Sequence, residues 1–153
     1  MSLTIRLVET ATELKIVADL FRQYQNWLGG DLCFQGFEKE LSDLPAHYDC
    51  LLLAYWDDRV CGCIGLKPYQ KSKTACEMKR LFVLEDFRNK GIARKLMDQS
   101  FTEARQLGYQ TMCLETLPEL EIAHRLYGEI GFQIRENGDQ NKSSKITFME
   151  KSL

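Results

Sequence analysis

Residues 76–96 of the chain read CEMKRLFVLEDFRNKGIARKL, and this segment is the most informative part of the sequence. Its apolar first half belongs to a candidate strand at 74–84, and the charged segment 85–91 that follows ends in Gly91. A strong amphipathic helix then begins, because apolar residues recur at helical spacing until Gly108 ends the pattern. These apolar residues are Ile92, Ala93, Leu96, Met97, Phe101, Ala104 and Leu107. The stretch therefore predicts a strand, a short loop and a helix in direct succession.

The flanking sequence predicts further strands and helices on both sides of this unit. A strand at 3–8 precedes a helix whose start is marked by Thr10 and Glu13, the spacing of a capping box. A second, short helix is expected at 34–44, with Pro45 beyond its end. Further strands are expected at 50–56, 60–66, 110–116, 132–135 and 145–150, with a helix between Pro118 and Gly131 and a polar loop at 136–144.

The order of these elements indicates one domain spanning 1–153, of the α/β or mixed α+β class, with helices against a mixed sheet. Gly62 and Gly65 weaken the strand at 60–66 and indicate a β-bulge there. The two strand–helix–strand connections after Thr74 are expected to be right-handed and to place ligand sites at strand ends.

Composition narrows the classes of protein that the chain can belong to. The 153 residues are 44% hydrophobic and 27% charged, which excludes disordered and fibrous proteins. No apolar run reaches the ~20 residues of a membrane span, and the segment 1–6 lacks the layout of a signal peptide, so we expect a cytoplasmic protein without a membrane partner. A net charge of −2 argues against a nucleic-acid partner, so that any anion site must be local.

The six cysteines are expected to be buried thiols, because most of them lie in apolar, strand-like runs. They are Cys33, Cys50, Cys61, Cys63, Cys76 and Cys113. The chain has no CxxC pair, and its two histidines, His47 and His124, show no ligand-like spacing. We therefore expect no metal site.

A local anion site is indicated at Gly91, where a glycine opens a helix. A helix start offers unpaired N–H groups and a partial positive charge, and glycine lets a phosphate approach closely. Basic residues surround this point: Arg80, Arg88, Lys90, Arg94 and Lys95. The alternative is a plain turn followed by a solvated basic helix face. No P-loop or dinucleotide-binding fingerprint is present, so ATP, GTP and NAD have no specific support.

The segment Arg88-Asn89-Lys90-Gly91-Ile92-Ala93 resembles the signature Q/R-x-x-G-x-G/A of the GNAT N-acetyltransferases. The strand 76–83 and the segment 123–127, with Gly131-Phe132 beyond it, also resemble the corresponding parts of that family. Two positions depart from the pattern: Ala93 replaces the last glycine, which the signature allows, and Leu120 stands where many members have asparagine. The resemblance implies the GNAT-type acyl-CoA N-acyltransferase fold, a central mixed, mostly antiparallel sheet flanked by helices.

The resemblance also implies acetyl-CoA as cosubstrate. Its pyrophosphate would be held by backbone amides of the loop and helix start, and its pantetheine would pair with the strand backbone. The implied cofactor-binding residues are Leu81, Phe82, Val83, Arg88, Asn89, Lys90, Gly91, Ile92, Ala93 and Arg94.

Two residues are catalytic candidates for acetyl transfer to an amine. The amine must lose a proton, and Glu77 on the strand before the loop resembles the base of some GNAT enzymes; the alternative is a cross-strand pair with a lysine. Tyr127 matches the family tyrosine that protonates the departing thiolate; the alternative is a core tyrosine. Cys76 and Cys113 are weaker candidates for an acetyl-enzyme intermediate, since no activating histidine lies near them, and direct transfer in a ternary complex is simpler.

By the same resemblance, the acceptor would lie against residues 21–48. Aromatic and acidic side chains there suit a small cationic amine or a lysine side chain, and the loop 136–144 could close over them. The side chains are Tyr24, Trp27, Asp31, Phe34, Gln35, Phe37, Glu38, Glu40 and Asp43. The alternative is that the aromatic residues pack the helices and the acids face solvent.

The sequence therefore leads to an N-acetyltransferase acting on a primary amine of a small molecule or peptide. Two alternatives stay open: a non-catalytic acyl-CoA-binding or sensing domain, and a nucleotide-phosphate-binding module. A homodimer is the default expectation for the oligomeric state.

Overall fold

The computed structural model describes residues 2–28, 37–117, 120–135 and 146–153. Within them, seven strands form one sheet in the order β1-β2-β3-β4-β5-β7-β6. The strands are β1 Leu3–Leu7, β2 Cys50–Trp56, β3 Arg59–Pro68, β4 Ala75–Val83, β5 Thr111–Thr116, β6 Gln133–Ile134 and β7 Thr147–Ser152. The helices are α1 Ala11–Trp27, α2 Phe37–Ser42, α3 Leu44–His47, α4 Ile92–Gln106 and α5 Glu121–Ile130. Only β4 and β5 pair in parallel, so the predicted mixed, mostly antiparallel sheet is confirmed.

The helices cover both faces of the sheet. In β2, Leu52 and Ala54 belong to the core beneath α4 and α5. Leu51 and Leu53, which alternate with them, belong to the core beneath α1, α2 and α3. This alternation explains why the strand is apolar on both faces, as expected for a covered strand. No helix among the described residues combines the length and the hydrophobicity needed to cross a bilayer.

The start of α1 agrees with the sequence, whereas the second predicted helix does not. The Thr10 hydroxyl accepts a hydrogen bond of 3.1 Å from the Glu13 N–H, and the Glu13 carboxylate accepts one of 3.0 Å from the Thr10 N–H. In place of one helix over 34–44 there are two, α2 and α3, and Pro45 lies inside α3 rather than beyond the helix. Proline is tolerated there because a first-turn N–H has no intrahelical partner to lose. Residues 34–36 lie outside the described part.

Five of the six cysteines are described, and all five are buried free thiols, as predicted: Cys50, Cys61, Cys63, Cys76 and Cys113. Cys33 lies outside the described residues. Within the described residues, no group of histidine, cysteine, aspartate and glutamate side chains is arranged to hold a metal ion.

Strands β4 and β5 separate along their length. They pair at Ala75 with Thr111, at Cys76 with Met112 and at Glu77 with Cys113, and the pairing goes no further within these two strands. Strand β5 continues beside β7 to its end at Thr116. A gap therefore opens between the second half of β4 and β5.

Two bulges shape the strands beside this gap. Cys61 of β3 is an extra residue against β2, next to Gly62, as the sequence indicated. At Gly65 the extra residue belongs to the opposite strand: Cys63 pairs with Phe82 and Gly65 with Lys79, so β4 carries one residue more than β3. Beyond a bulge, every side chain of that strand lies on the opposite face of the sheet from the one that strict alternation would give it.

Candidate functional site

The gap between β4 and β5 continues into a cleft of about 690 Å³, a size typical of small-molecule sites. The cleft is bounded by β4, the loop before α4, the first turn of α4, α5 and the end of α1. Nine of the ten predicted cosubstrate residues line it: Leu81, Phe82, Val83, Arg88, Asn89, Gly91, Ile92, Ala93 and Arg94. The exception is Lys90, whose Nζ lies 5.4 Å from the centre of the Trp56 ring. Leu120, the departure from the family pattern, also lines the cleft.

One end of the cleft is suited to an anion. Gly91 caps α4 with φ 77°, and Asn89 also has a positive φ, of 65°. Glycine is needed at position 91 for its backbone conformation and not for space, since a Cβ there would meet nothing within 4 Å. The first N–H groups of a helix have no intrahelical partner, and the start of this 15-residue helix lines the cleft at Gly91, Ile92 and Ala93.

Strand β4 presents backbone groups to the cleft. The Leu84 N–H donates a hydrogen bond of 2.8 Å to the Cys61 oxygen on the β3 side. Backbone groups alternate in direction along a strand, so those of Leu81 and Val83 point away from β3 and into the gap. The Val83 oxygen accepts a hydrogen bond of 3.0 Å from Arg88 Nε, which confirms its direction.

An aromatic wall closes the α1 side of the cleft. The rings of Tyr24 and Phe82 lie 5.3 Å apart, and the Trp27 ring lies 6.2 Å from that of Phe82. The Arg88 guanidinium lies 4.9 Å from the Trp27 ring centre and 5.8 Å from that of Phe82. The Arg88 guanidinium therefore makes one cation–π contact with Trp27 of α1 and another with Phe82 of β4.

The remaining predicted acceptor residues are distributed differently. Tyr24 and Trp27 line the cleft. Phe37 is buried, whereas Glu38 forms an exposed ion pair of 3.1 Å with Arg22. Asp31, Phe34, Gln35 and the loop 136–144 lie outside the described residues.

Tyr127 lies in the cleft wall, on α5. Its ring packs edge-on against Phe132 at 6.0 Å, and the residue is 8% exposed. Burial raises the pKa of Tyr127, and the nearby Tyr24 raises that pKa further. The hydroxyl is therefore protonated at neutral pH and can donate a hydrogen bond.

Glu77 lies at the apex of the gap but not in the cleft wall. It is the last β4 residue that pairs with β5, and its side chain is 13% exposed. Its Oε2 lies 3.8 Å from Lys79 Nζ on its own strand. Lys67, the lysine opposite Glu77 on β3, has its Nζ 3.7 Å from Glu40 Oε1. The predicted lysine partner is thus present, but on the same strand rather than across it.

Sequence reasoning missed two ion pairs, one between helices that line the cleft and one on the other face of β4. Arg94 Nη2 of α4 lies 3.2 Å from Glu129 Oε2 of α5, joining two helices that both line the cleft. The buried side chain of Arg80 lies 3.1 Å from Glu40 Oε2. No sequence signal identified either pair, because neither spacing is a helical or strand repeat.

The known proteins that this chain resembles in sequence and in fold include acetyltransferases. Residues 14–132 match the acetyltransferase (GNAT) family. An uncharacterized N-acetyltransferase of Schizosaccharomyces pombe is 29% identical, over 97% of this chain and 93% of its own. A GNAT-family acetyltransferase from Staphylococcus aureus has a TM-score of 0.81 at 18% identity, over 99% of both chains. YncA, a putative acetyltransferase from Salmonella typhimurium solved with acetyl-CoA, has a TM-score of 0.77 at 18% identity, over 100% of this chain and 95% of that one.

Proposed function

The chain belongs to the GNAT family of acetyltransferases, and from this premise we propose that it moves an acetyl group from acetyl-CoA to a primary amine of a small molecule or peptide. The transfer is direct, within a ternary complex. One observation carries the proposal: the start of α4, the part of β4 that does not pair with β5, and Tyr127 line a single cleft.

Each part of acetyl-CoA has a matching surface in this cleft. The pyrophosphate suits the N–H groups at Gly91 and Ile92, where the helix dipole favours negative charge. The pantetheine amides suit the backbone groups of Leu81 and Val83 that point into the gap. Arg88 Nε already donates to the Val83 oxygen, and a pantetheine N–H that takes over this oxygen would release the guanidinium. The released guanidinium could then pair with a phosphate.

The reaction begins when the amine nitrogen attacks the thioester carbonyl carbon. A C–N bond forms, the amine gives up a proton and the carbonyl oxygen gains negative charge. Glu77 is the proposed acceptor of that proton, through a water molecule, because it lies at the apex of the gap rather than in the cleft wall. A backbone N–H of β4 is the proposed donor to the oxyanion.

The tetrahedral intermediate then collapses, and the C–S bond breaks to release the thiolate. A thiol has an ordinary pKa of about 8.5, whereas burial raises the pKa of Tyr127 above its usual 10. Complete proton transfer from Tyr127 to a solvated thiolate would therefore be uphill. Burial in the same cleft also destabilises a thiolate. It therefore raises the pKa of the thiol and narrows the difference between that pKa and the pKa of Tyr127. Tyr127 thus acts first as a hydrogen-bond donor to the leaving sulfur and releases its proton as the thiol forms.

A second candidate function is a non-catalytic acyl-CoA-binding domain. It is favoured by the position of Glu77, which is held by Lys79 and does not line the cleft. Such a domain would keep the phosphate-binding loop and the β4 edge without turnover.

One experiment in two stages separates these functions. Thermal shifts are measured with acetyl-CoA and with ATP, and the chain is then assayed for acetyl-CoA-dependent release of free thiol with a panel of amines and peptides. The proposal expects stabilisation by acetyl-CoA and thiol release with at least one acceptor. Binding without thiol release across the panel supports the acyl-CoA-binding domain instead. Stabilisation by ATP but not by acetyl-CoA supports a nucleotide-phosphate-binding module.

A further inference from the structure

A buried ionic cluster holds β4 on the side away from α4. We call it the Arg80 clamp; it consists of Arg80, Glu40 and Tyr48. Arg80 Nη2 lies 3.1 Å from Glu40 Oε2, and Arg80 Nε donates to the Tyr48 hydroxyl oxygen at 3.1 Å. The Tyr48 hydroxyl in turn donates to Glu40 Oε2 at 3.2 Å. The Arg80 and Glu40 side chains are 9% and 12% exposed, so solvent screens these contacts weakly.

The clamp is built from three separate parts of the chain. Arg80 comes from β4, Glu40 comes from α2, and Tyr48 follows α3. Outside the clamp itself, Lys67 of β3 adds a second cation 3.7 Å from Glu40 Oε1. The Tyr48 ring lies over Gly65, where a Cβ would approach it to 2.7 Å. Gly65 pairs with Lys79, the residue before Arg80. Glycine at position 65 thus leaves the space in which Tyr48 reaches the bulge.

Arg80 has a backbone conformation that glycine adopts readily but arginine rarely does. Its φ is 59°, in the left-handed region, although it lies within a strand. It is at the register shift between β3 and β4, where β4 has its extra residue. Side-chain contacts must therefore offset the strain at this residue.

The bulge decides which residues of β4 serve the cleft. Before it, Cys76 and Met78 belong to the core beneath α4; beyond it, Leu81 and Val83 pack against that core. Strict alternation from Met78 would have placed residues 80 and 82 there. The same change of phase turns the backbone groups of Leu81 and Val83 toward the gap.

We propose that Glu40 and Tyr48 are positioning residues, which hold Arg80 in the left-handed conformation and so direct the Leu81 and Val83 backbone toward acetyl-CoA. This inference rests on the proposed use of acetyl-CoA. Neither residue lines the cleft, so both act through Arg80 and touch no reacting atom.

The first test measures acetyl-CoA binding by calorimetry, together with kcat, KM and Tm, for Glu40→Gln and Tyr48→Phe. Both variants keep the side-chain shape, and Tyr48→Phe is the milder change if Glu40→Gln folds poorly. We expect acetyl-CoA binding at least about fivefold weaker, as when a ligand loses well-aligned backbone hydrogen bonds. Glu150→Gln, which breaks a more exposed ion pair of 3.3 Å with Arg135, is the matched control and should bind like the wild type. A lower Tm with unchanged acetyl-CoA binding would show a structural role alone and overturn the proposal.

The second test asks whether backbone conformation is what the clamp supplies. In the Glu40→Gln background, Arg80→Gly and Arg80→Ala remove nearly the same atoms, but only glycine adopts positive φ without strain. Arg80→Gly should therefore bind acetyl-CoA more tightly than Arg80→Ala, and equal affinities would overturn the proposal. If the wild-type protein binds acetyl-CoA without turnover, the proposed transferase reaction is wrong, but the acetyl-CoA affinities of the Arg80→Gly and Arg80→Ala variants still test this proposal. A wild type that does not bind acetyl-CoA overturns both.

Discussion

The side chain of Arg88 donates a hydrogen bond of 3.0 Å from Nε to the backbone oxygen of Val83, on the edge of β4 that faces the cleft. The guanidinium lies beside the rings of both Trp27 and Phe82, 4.9 and 5.8 Å from their centres. The oxygen proposed to accept a pantetheine amide thus already accepts a hydrogen bond from a residue of the loop before α4. Cosubstrate binding and the position of Arg88 must therefore be coupled.

Arg88→Ala should affect the two halves of acetyl-CoA in opposite ways. Loss of a charge-assisted contact to phosphate should weaken acetyl-CoA binding about tenfold. S-Acetylpantetheine, which lacks the pyrophosphate, should bind equally well or better, because the Val83 oxygen is freed. Calorimetry with both ligands measures the difference. Arg6→Ala is the control, since Arg6 also lies over an aromatic ring, that of Tyr55 at 5.1 Å, but on β1. An equal loss of affinity for both ligands in Arg88→Ala would contradict the coupling.

Gly91→Ala should reduce both stability and acetyl-CoA affinity. The left-handed φ of 77° costs a residue with a Cβ about 1–2 kcal/mol. The new methyl group would also stand in open space beside the helix start. Urea denaturation and acetyl-CoA titration measure the two effects. Gly91→Asn should keep more stability than Gly91→Ala, because asparagine adopts this conformation more readily. The reverse order would contradict the backbone explanation.

Tyr127→Phe should lower kcat about 100-fold while leaving acetyl-CoA affinity nearly unchanged, as expected for loss of a proton donor. The pH dependence has a definite sign. Because the pKa of Tyr127 is raised above 10, the hydroxyl loses its proton only above that pH. The wild type should therefore show no fall in kcat attributable to Tyr127 between pH 7 and about pH 9.5. A kcat for Tyr127→Phe equal to that of the wild type would remove the donor role.

Glu77→Gln should slow turnover at pH 7 about 100-fold and keep acetyl-CoA affinity, if Glu77 accepts the amine proton. The loss should shrink as pH rises toward the acceptor amine's own pKa, near 10.4 for a lysine-like amine, because less of the amine then needs a base. A pH–rate profile of both proteins measures this convergence. Glu103→Gln on α4, whose carboxylate accepts a hydrogen bond of 3.2 Å from Gln99, is the control for loss of a carboxylate. Wild-type turnover at pH 7 would mean that Glu77 serves only its contact with Lys79.

The buried thiols should form no acetyl-enzyme. Burial raises the pKa of Cys76 to about 12, and it raises that of Cys113 as well. Both thiols therefore stay protonated and weakly nucleophilic at neutral pH. Intact-protein mass spectrometry after incubation with acetyl-CoA alone should detect no acetyl adduct on the chain. An adduct that maps to either cysteine and forms as fast as turnover would replace direct transfer with a two-step route.

Local features of the site could be predicted from the sequence. The capping box of Thr10 and Glu13 closes within one turn of helix, and it is present. Gly91 was also correctly predicted to open the helix 92–106, which it caps. Both depend on dihedral preferences and hydrogen bonds between near neighbours, which a short stretch of sequence determines.

Contacts between distant segments could not be predicted in the same way. Lys67 lies opposite Glu77 on β3, but its ammonium group pairs with Glu40 of α2. Glu77 pairs instead with Lys79 on its own strand. The contact between Lys67 and Glu40 follows from how α2 packs on the sheet. Pro45 likewise was expected beyond a helix, because its tolerance in a first turn depends on where the helix starts.

Short stretches of sequence were enough to predict the seven strands, the burial of the described cysteines and the glycine that caps α4. Three further features depend on how distant segments pack together. Arg88 donates to the Val83 oxygen, Glu77 lies outside the cleft wall, and Arg80 lies at the bulge where β4 has one residue more than β3. The two groups of features differ in how far apart along the chain the interacting residues lie. Helix caps and turns are set by the backbone preferences of a few adjacent residues, whereas strand register and buried ion pairs are set by which distant surfaces pack together.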